Sequence, residues 1–287
     1  MFMGKKKKDT YSVAKQSIKI LQSGKIKFNK GEKISLKPFV TQSVGDCVCS
    51  RIDGILSKEK VVLDSSAYRV DVNSNLTSMQ KITEMLSRID NPEVQTVVHV
   101  VNKKIASEVF DMFDDSIIGN LMRSSTLASI YKEIGSDWES LNDGDKTNFT
   151  NVLFIPKIFI FLDPETGKIR KKPYTINLLL IAEPTLKNMG DGIEKVTETQ
   201  ATDRLINDVF DSAIKCGANN LVIAPYCHKL FLEDPYSTAG IWHDYTSIDK
   251  TIKNIKSITF AINNEELYII FMKNQSYSNQ VDSSLTT

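Results

Sequence analysis

Segments of helical and of strand periodicity alternate along most of this chain. Residues 11–21 space apolar side chains at Val13, Ile18 and Leu21 between lysines, the pattern of a surface helix, and Gly24 stops it. Residues 25–36 alternate polar and apolar positions (Ile26, Phe28, Ile34, Leu36) around Gly31, which predicts a small hairpin. Short strands follow at 61–63 and 68–72, and Thr77 or Ser78 can cap a helix through Leu86. An apolar strand over 94–101 ends at Asn102, a helix spans about 117–134, and the polar segment 138–151 reads as a loop. Two strands, 158–162 and 174–181, flank a turn at 163–168, and 187–199 reads as a surface loop. An amphipathic helix over 204–215 runs through Cys216 and Gly217 into a strand at 220–224. A helix from Ser237 and strands at 257–262 and 267–272 complete the pattern.

Strands interleaved with helices, written as apolar runs more than as strict alternation, predict an α/β fold whose mixed sheet is covered on both faces. The expected organisation is a flexible basic tail (1–10), an N-terminal helical and hairpin extension packed on the core (11–60), the core itself (61–273) and a polar tail (274–287). A length of 287 residues with 41% hydrophobic side chains suffices for a substantial core. Basic and acidic side chains number 36 and 35, so no global field announces nucleic acid or membrane, and the local exception is Lys5, Lys6, Lys7 and Lys8. No apolar run reaches the roughly 20 residues of a membrane span, and no secretory leader is evident. Cys47, Cys49, Cys216 and Cys227 fit neither a disulfide framework nor a zinc site, so reduced thiols and an intracellular location, cytoplasmic or nuclear, are expected, with no metal and no cofactor. Thr166-Gly167-Lys168 joins two strands with no helix after it, which excludes a phosphate-binding loop of the nucleotide-hydrolase type.

The loop leaving the strand at 220–224 reads Pro225-Tyr226-Cys227-His228-Lys229-Leu230-Phe231-Leu232-Glu233-Asp234-Pro235. Ligands in α/β proteins gather at such strand ends. Backbone that closely approaches phosphate needs glycine, and none occurs between Asn220 and Ala239.

Five ordered segments resemble the microbial-type poly(ADP-ribose) glycohydrolases, a macrodomain family. They are AKQSIKILQSGKIKFNKGE (14–32), VVHVVN (97–102), NLMRSSTLASIY (120–131), PKIFIFLDPETGKIRKKPYTINLLLIAEP (156–184) and LVIAPYCHKLFLEDP (221–235). The resemblance implies a three-layer macrodomain-like fold and a ligand cleft at Asn102, Tyr226, Cys227, His228, Lys229, Phe231 and Asp234. The family's paired glutamates fall on Ile118 and Gly119, its triple glycine has no counterpart in NKKIASEVFDMFDDS (102–116), and four further glycines fall on Ala224, Cys227, Lys229 and Leu232. Phe231, Asp234 and Pro235 are retained. Glycosidic cleavage needs a carboxylic acid at the leaving oxygen. The expectation is therefore a catalytically inactive macrodomain that binds a protein partner or an altered nucleotide-like ligand, with ADP-ribose or an ADP-ribosylated protein as the ligand the family implies.

Other readings attach to particular residues. Asp114 and Asp115, with Asp111, are candidates for a displaced acid in a still active ADP-ribosyl hydrolase, against the plainer reading of an acidic cluster at a helix start. His228 and Lys229 could replace lost amide donors or be surface residues. Cys227 beside His228 suggests a nucleophile and base without an orienting third group. His99 reads as a satisfied core histidine and Arg123 as a structural hydrogen-bond donor. A third class is an assembly protein whose Lys5–Lys8 arm meets a polyanion such as nucleic acid.

Overall fold

The computed structural model describes residues 9–28, 31–53, 69–74, 94–102, 106–142, 149–164, 166–183, 198–223, 236, 239–242, 245, 255–262, 268–270 and 273. Asp9 opens the fold as an N-cap, its carboxylate accepting from the Ser12 amide and hydroxyl, and helix α1 (Thr10–Ser23) ends at Gly24 in the left-handed region at φ 65°. The hairpin β1 (Lys25–Lys27) and β2 (Lys33–Ser35), helix α2 (Lys37–Gly45) and strand β3 (Val48–Asp53) follow. Next come β4 (Arg69–Ser74), β5 (Gln95–Asn102), α3 (Ile117–Ser124), α4 (Leu127–Asn142), β6 (Phe149–Leu162) and β7 (Ile169–Glu183). Helix α5 (Glu198–Lys215), β8 (Asn220–Ile223) and β9 (Ser257–Ile262) complete the described elements.

Among the described residues seven strands form one mixed sheet in the order β3-β6-β7-β5-β8-β9-β4. β3, β6 and β7 pair antiparallel, and every pairing from β7 to β4 is parallel. Alternate residues of the central strands serve opposite faces. Val98, Val100, Leu179 and Ile181 pack with Val209, Phe210 and Ala213 of α5 and with Trp242. Val97, Val101, Leu178 and Leu180 pack on the other side with Leu121, Ile130 and Trp138 of α3 and α4. The α/β class, the mixed sheet and its helical cover on both faces are thus as expected. A third cluster joins Ile26 and Leu36 to Phe159, Phe161 and Leu162, so the N-terminal helix and hairpin sit on the far end of β6.

The local differences have physical causes. The helix expected over 117–134 is two helices, because Ser125 turns extended and bridges Ile160. The Thr126 amide donates to Phe159 O at 3.0 Å and its Oγ1 accepts from the Phe159 amide at 3.1 Å, which satisfies the edge of β6 where β3 has ended. The segment 138–151, expected as a loop, extends α4 to Asn142 and begins β6 at Phe149. Trp138 is fully buried and donates to Ala106 O at 2.9 Å, one buried aromatic outweighing its polar neighbours. The expected strand 267–272 is helical at 268–270, where Ile270 is buried and Ile269 exposed; short apolar runs do not distinguish the two states. β3 lies within the stretch read as an extension and forms an edge of the central sheet. The strand expected at 61–63 and the helix from Thr77 or Ser78 lie outside the described residues.

Phe161 is the keystone of the third cluster. Phe161→Ala is expected to lower unfolding free energy in urea by about 3–5 kcal/mol. The exposed control Lys19→Ala should stay within about 0.5 kcal/mol.

Candidate functional site

The parallel strands run in the same direction, and β5 and β7 continue past the level at which the described part of β8 ends. Asn102 at the close of β5 stands in register with Glu183 at the close of β7, and Val98 pairs with Ile223, the last residue of β8. Ile223 in turn pairs with Phe260 of β9. Loops leaving these ends form the natural cleft of such a sheet. Of the residues expected to line it, Asn102 is placed by its backbone. Tyr226, Cys227, His228, Lys229, Phe231 and Asp234 lie outside the described residues, as do His243 and Lys5–Lys8. The described part of the site is therefore the loop 106–116 between β5 and α3.

That loop is held by its neighbours rather than by its own secondary structure. Ser116 caps α3, its Oγ accepting from the Gly119 amide at 3.0 Å. Arg123, one turn further on and buried, turns back under the loop. Its Nη1 donates to Met112 O at 2.8 Å and to Asp114 O, and its Nη2 donates to Asn120 Oδ1 at 2.7 Å and to Asp115 Oδ1 at 3.3 Å. Burial lowers the Arg123 pKa from its ordinary value, opposed by Asp115, Asp114 and Asp111. Such a planar fork supplies several directed donors where carbonyls would otherwise be unsatisfied. Asp115 Oδ1 also accepts from Thr10 Oγ1 at 2.7 Å, which ties α1 to the loop, and Tyr11 lies 5.6 Å from Phe113 between ring centroids. Phe110 stacks on Tyr131 at 3.8 Å.

This packing also fixes Ile118 and Gly119, the positions on which the family resemblance places its paired glutamates. Ile118 is fully buried among Val101, Phe110 and Leu121. Gly119 lies under the loop's carbonyls: a Cβ there would meet Asp111 O at 2.8 Å and Asp114 O closer still. No side chain fits without moving the loop. A glycine three residues into a helix costs about 1 kcal/mol relative to alanine, which was the sequence signal for this close approach. Asp111 accepts from the Phe113 amide at 2.8 Å, making the turn instead of facing a cleft. Of the candidate acids, Asp115 has its Oδ1 engaged by two donors, and Asp114 is exposed at the loop surface.

His99 departs from the satisfied core histidine expected. It is buried in β5 on the α3 and α4 face, and its Nδ1 has no hydrogen-bond partner among the described residues. Burial lowers its pKa to about 4. The Cys47 and Cys49 thiols are pushed up to about 12 and about 11, by burial first, and Cys216 is raised for the same reason. These three are free and protonated at neutral pH, which makes them poor nucleophiles. Among the described residues no cluster of His, Cys, Asp and Glu could hold a metal, and no helix is long and apolar enough to cross a membrane.

The fold is that of the microbial poly(ADP-ribose) glycohydrolases. The enzyme from Thermomonospora curvata superposes with a TM-score of 0.68 at 16% identity, covering 92% of this chain and 98% of that one. Its complex with the inhibitor ADP-HPD gives 0.67 at 14% identity over the same shares. The Deinococcus radiodurans enzyme in complex with ADP-ribose gives 0.56 at 13% identity, covering 73% of this chain and 85% of that one. No protein-family model and no curated protein matches the chain.

Two expectations follow from the geometry. Arg123→Met, which keeps the aliphatic stem but no donors, should cost on the order of 2–4 kcal/mol in urea unfolding and speed amide exchange across 111–116. For His99, the folded pKa of about 4 lies below the ordinary 6.5, so the stability it confers is full above pH 6.5 and is lost as pH falls towards 4. Between pH 7 and pH 4.5 wild type should therefore lose on the order of 2 kcal/mol more than His99→Leu, read from paired urea titrations.

Proposed function

We propose that this chain is a macrodomain-fold protein without glycohydrolase chemistry, acting as a binding or scaffold module through the cleft at the strand ends. The observation that carries the reading is the state of residues 118 and 119. The family resemblance puts the catalytic glutamates there, and this chain has a core isoleucine and a glycine covered by loop carbonyls. A general acid must reach the oxygen it protonates, and neither position offers a carboxyl group or a path to one. The glycine-free stretch 220–239 supports the same reading, since a diphosphate cradle of bare amides calls for glycine and the resemblance places the family's glycines on Ala224, Cys227, Lys229 and Leu232. In this proposal Asn102, Tyr226, Cys227, His228, Lys229, Phe231 and Asp234 line a recess whose occupant is a protein segment or a ligand other than ADP-ribose.

The competing reading gives Asp114 or Asp115 the role of acid. Asp115 is engaged by Thr10 and Arg123, which favours a fastening role over proton transfer.

The purified protein is expected to release no ADP-ribose from poly(ADP-ribose) or from ADP-ribosylated protein, and titration calorimetry with ADP-ribose should show no binding at micromolar concentrations. Turnover that disappears in Asp115→Asn would overturn the proposal. Gly119→Ala should destabilise the fold by about 1–3 kcal/mol through overpacking, which distinguishes a structural glycine from a vacant catalytic position.

A further inference from the structure

The near-neutral total charge conceals a polarised chain. Residues 1–37 hold eleven lysines against two carboxylates, Asp9 and Glu32, whereas the remaining 250 residues hold 25 basic and 33 acidic side chains. The fold turns this composition into a surface. α1 and the β1–β2 hairpin bury Val13, Ala14, Ile26 and Leu36, so their polar positions face outward. Lys15, Lys19, Lys25, Lys27, Lys33 and Lys37 are all exposed, and none pairs with a carboxylate among the described residues. An unneutralised basic face of this kind attracts a polyanion.

A second feature lies on the same face. Tyr11 and Phe113 are 56% and 48% exposed, with ring centroids 5.6 Å apart and planes inclined at 35°. The Lys15 ammonium lies 4.2 Å from the Tyr11 centroid. Large aromatic rings left in water beside a cation are what bases stack upon in single-strand binding grooves.

We propose that this N-terminal layer is a docking surface for single-stranded nucleic acid, with Tyr11 and Phe113 stacking bases and the lysines of α1 and the hairpin tracking the phosphates. A duplex presents phosphates but no free base face, so it would use only half of the surface. An anionic membrane is less suited, because α1 buries Val13 and Ala14 in the protein and leaves only the Tyr11–Phe113 pair as exposed apolar surface on this face, far short of an inserting face. The neighbouring carboxylates set the direction of the strand. Asp9, Asp111, Asp114 and Asp115 are exposed around the aromatic pair, with Asp115 paired to Arg123, so this end repels phosphate and the lysines of α1 attract it. Phosphates therefore run from Tyr11 along Lys15 and Lys19 towards the hairpin. The proposal does not depend on the cleft or on the absence of glycohydrolase activity.

The test is fluorescence anisotropy of the full chain with labelled single-stranded RNA of about 12 nucleotides between about 50 and 200 mM salt. Binding should fall linearly on a log–log salt plot. Lys19→Glu, Lys25→Glu and Lys27→Glu together should weaken it at least about tenfold and flatten the slope by roughly 0.7 for each phosphate no longer neutralised. Tyr11→Ala should weaken it about 5- to 150-fold with the slope unchanged, the range expected for one stacked base. Circular dichroism and thermal melting verify that each variant is folded. Absence of binding at about 50 mM salt, duplex RNA bound as tightly as single strands, indifference to these substitutions, or capture by phosphatidylserine vesicles in place of RNA would each overturn the proposal.

Discussion

A single guanidinium organises the loop on which every functional argument about this protein turns. Arg123 is carried on α3 yet directs its donors to residues 112, 114 and 115, which precede the helix. A buried arginine is tolerated when most of its protons are matched, and here both Nη groups are matched by the loop and Asn120 while Nε has no partner among the described residues. The loop and the side chain thus require one another. Gly119 is the steric consequence, since drawing the loop down over the first turn of α3 leaves no room for a Cβ. The arginine at 123 and the glycine at 119 hold against α3 a loop whose own contribution is the turn at Asp111.

That arrangement separates architecture from chemistry. The fold matches that of the Thermomonospora curvata poly(ADP-ribose) glycohydrolase over 92% of this chain. Folds of this kind are scaffolds whose activity resides in a few loop residues, and a scaffold can persist after those residues change. At the start of α3, Ile118 joins the core and Gly119 admits the loop.

Much of the fold was legible in the sequence because its signals are local. The Gly24 stop, the hairpin about Gly31 and the apolar runs of β5, β7 and β9 each carry their own periodicity or punctuation. Illegible features depend on partners distant in the chain. The break between α3 and α4 arises because Ser125 and Thr126 complete an edge of β6 some 35 residues later. The length of α4 rests on Trp138 finding Ala106 O. At the site, Arg123 was readable as a structural donor, whereas the use of Asp115 to fasten α1 was not, since Thr10 lies 105 positions away. Whole-chain charge also misled: a total near zero averaged a strongly basic first eighth against an acidic remainder.

The seating of the first helix and hairpin has a consequence for how the chain folds. Ile26 and Leu36 find their apolar partners on Phe159, Phe161 and Leu162, and Thr10 finds Asp115. Neither segment has these partners until β6 and the loop before α3 are in place. Long-range closure of this sort is slow, because chain entropy is given up before native packing offsets it. The first helix and hairpin are therefore expected to dock late in folding, with Lys15, Lys19, Lys25 and Lys27 already in water before they do.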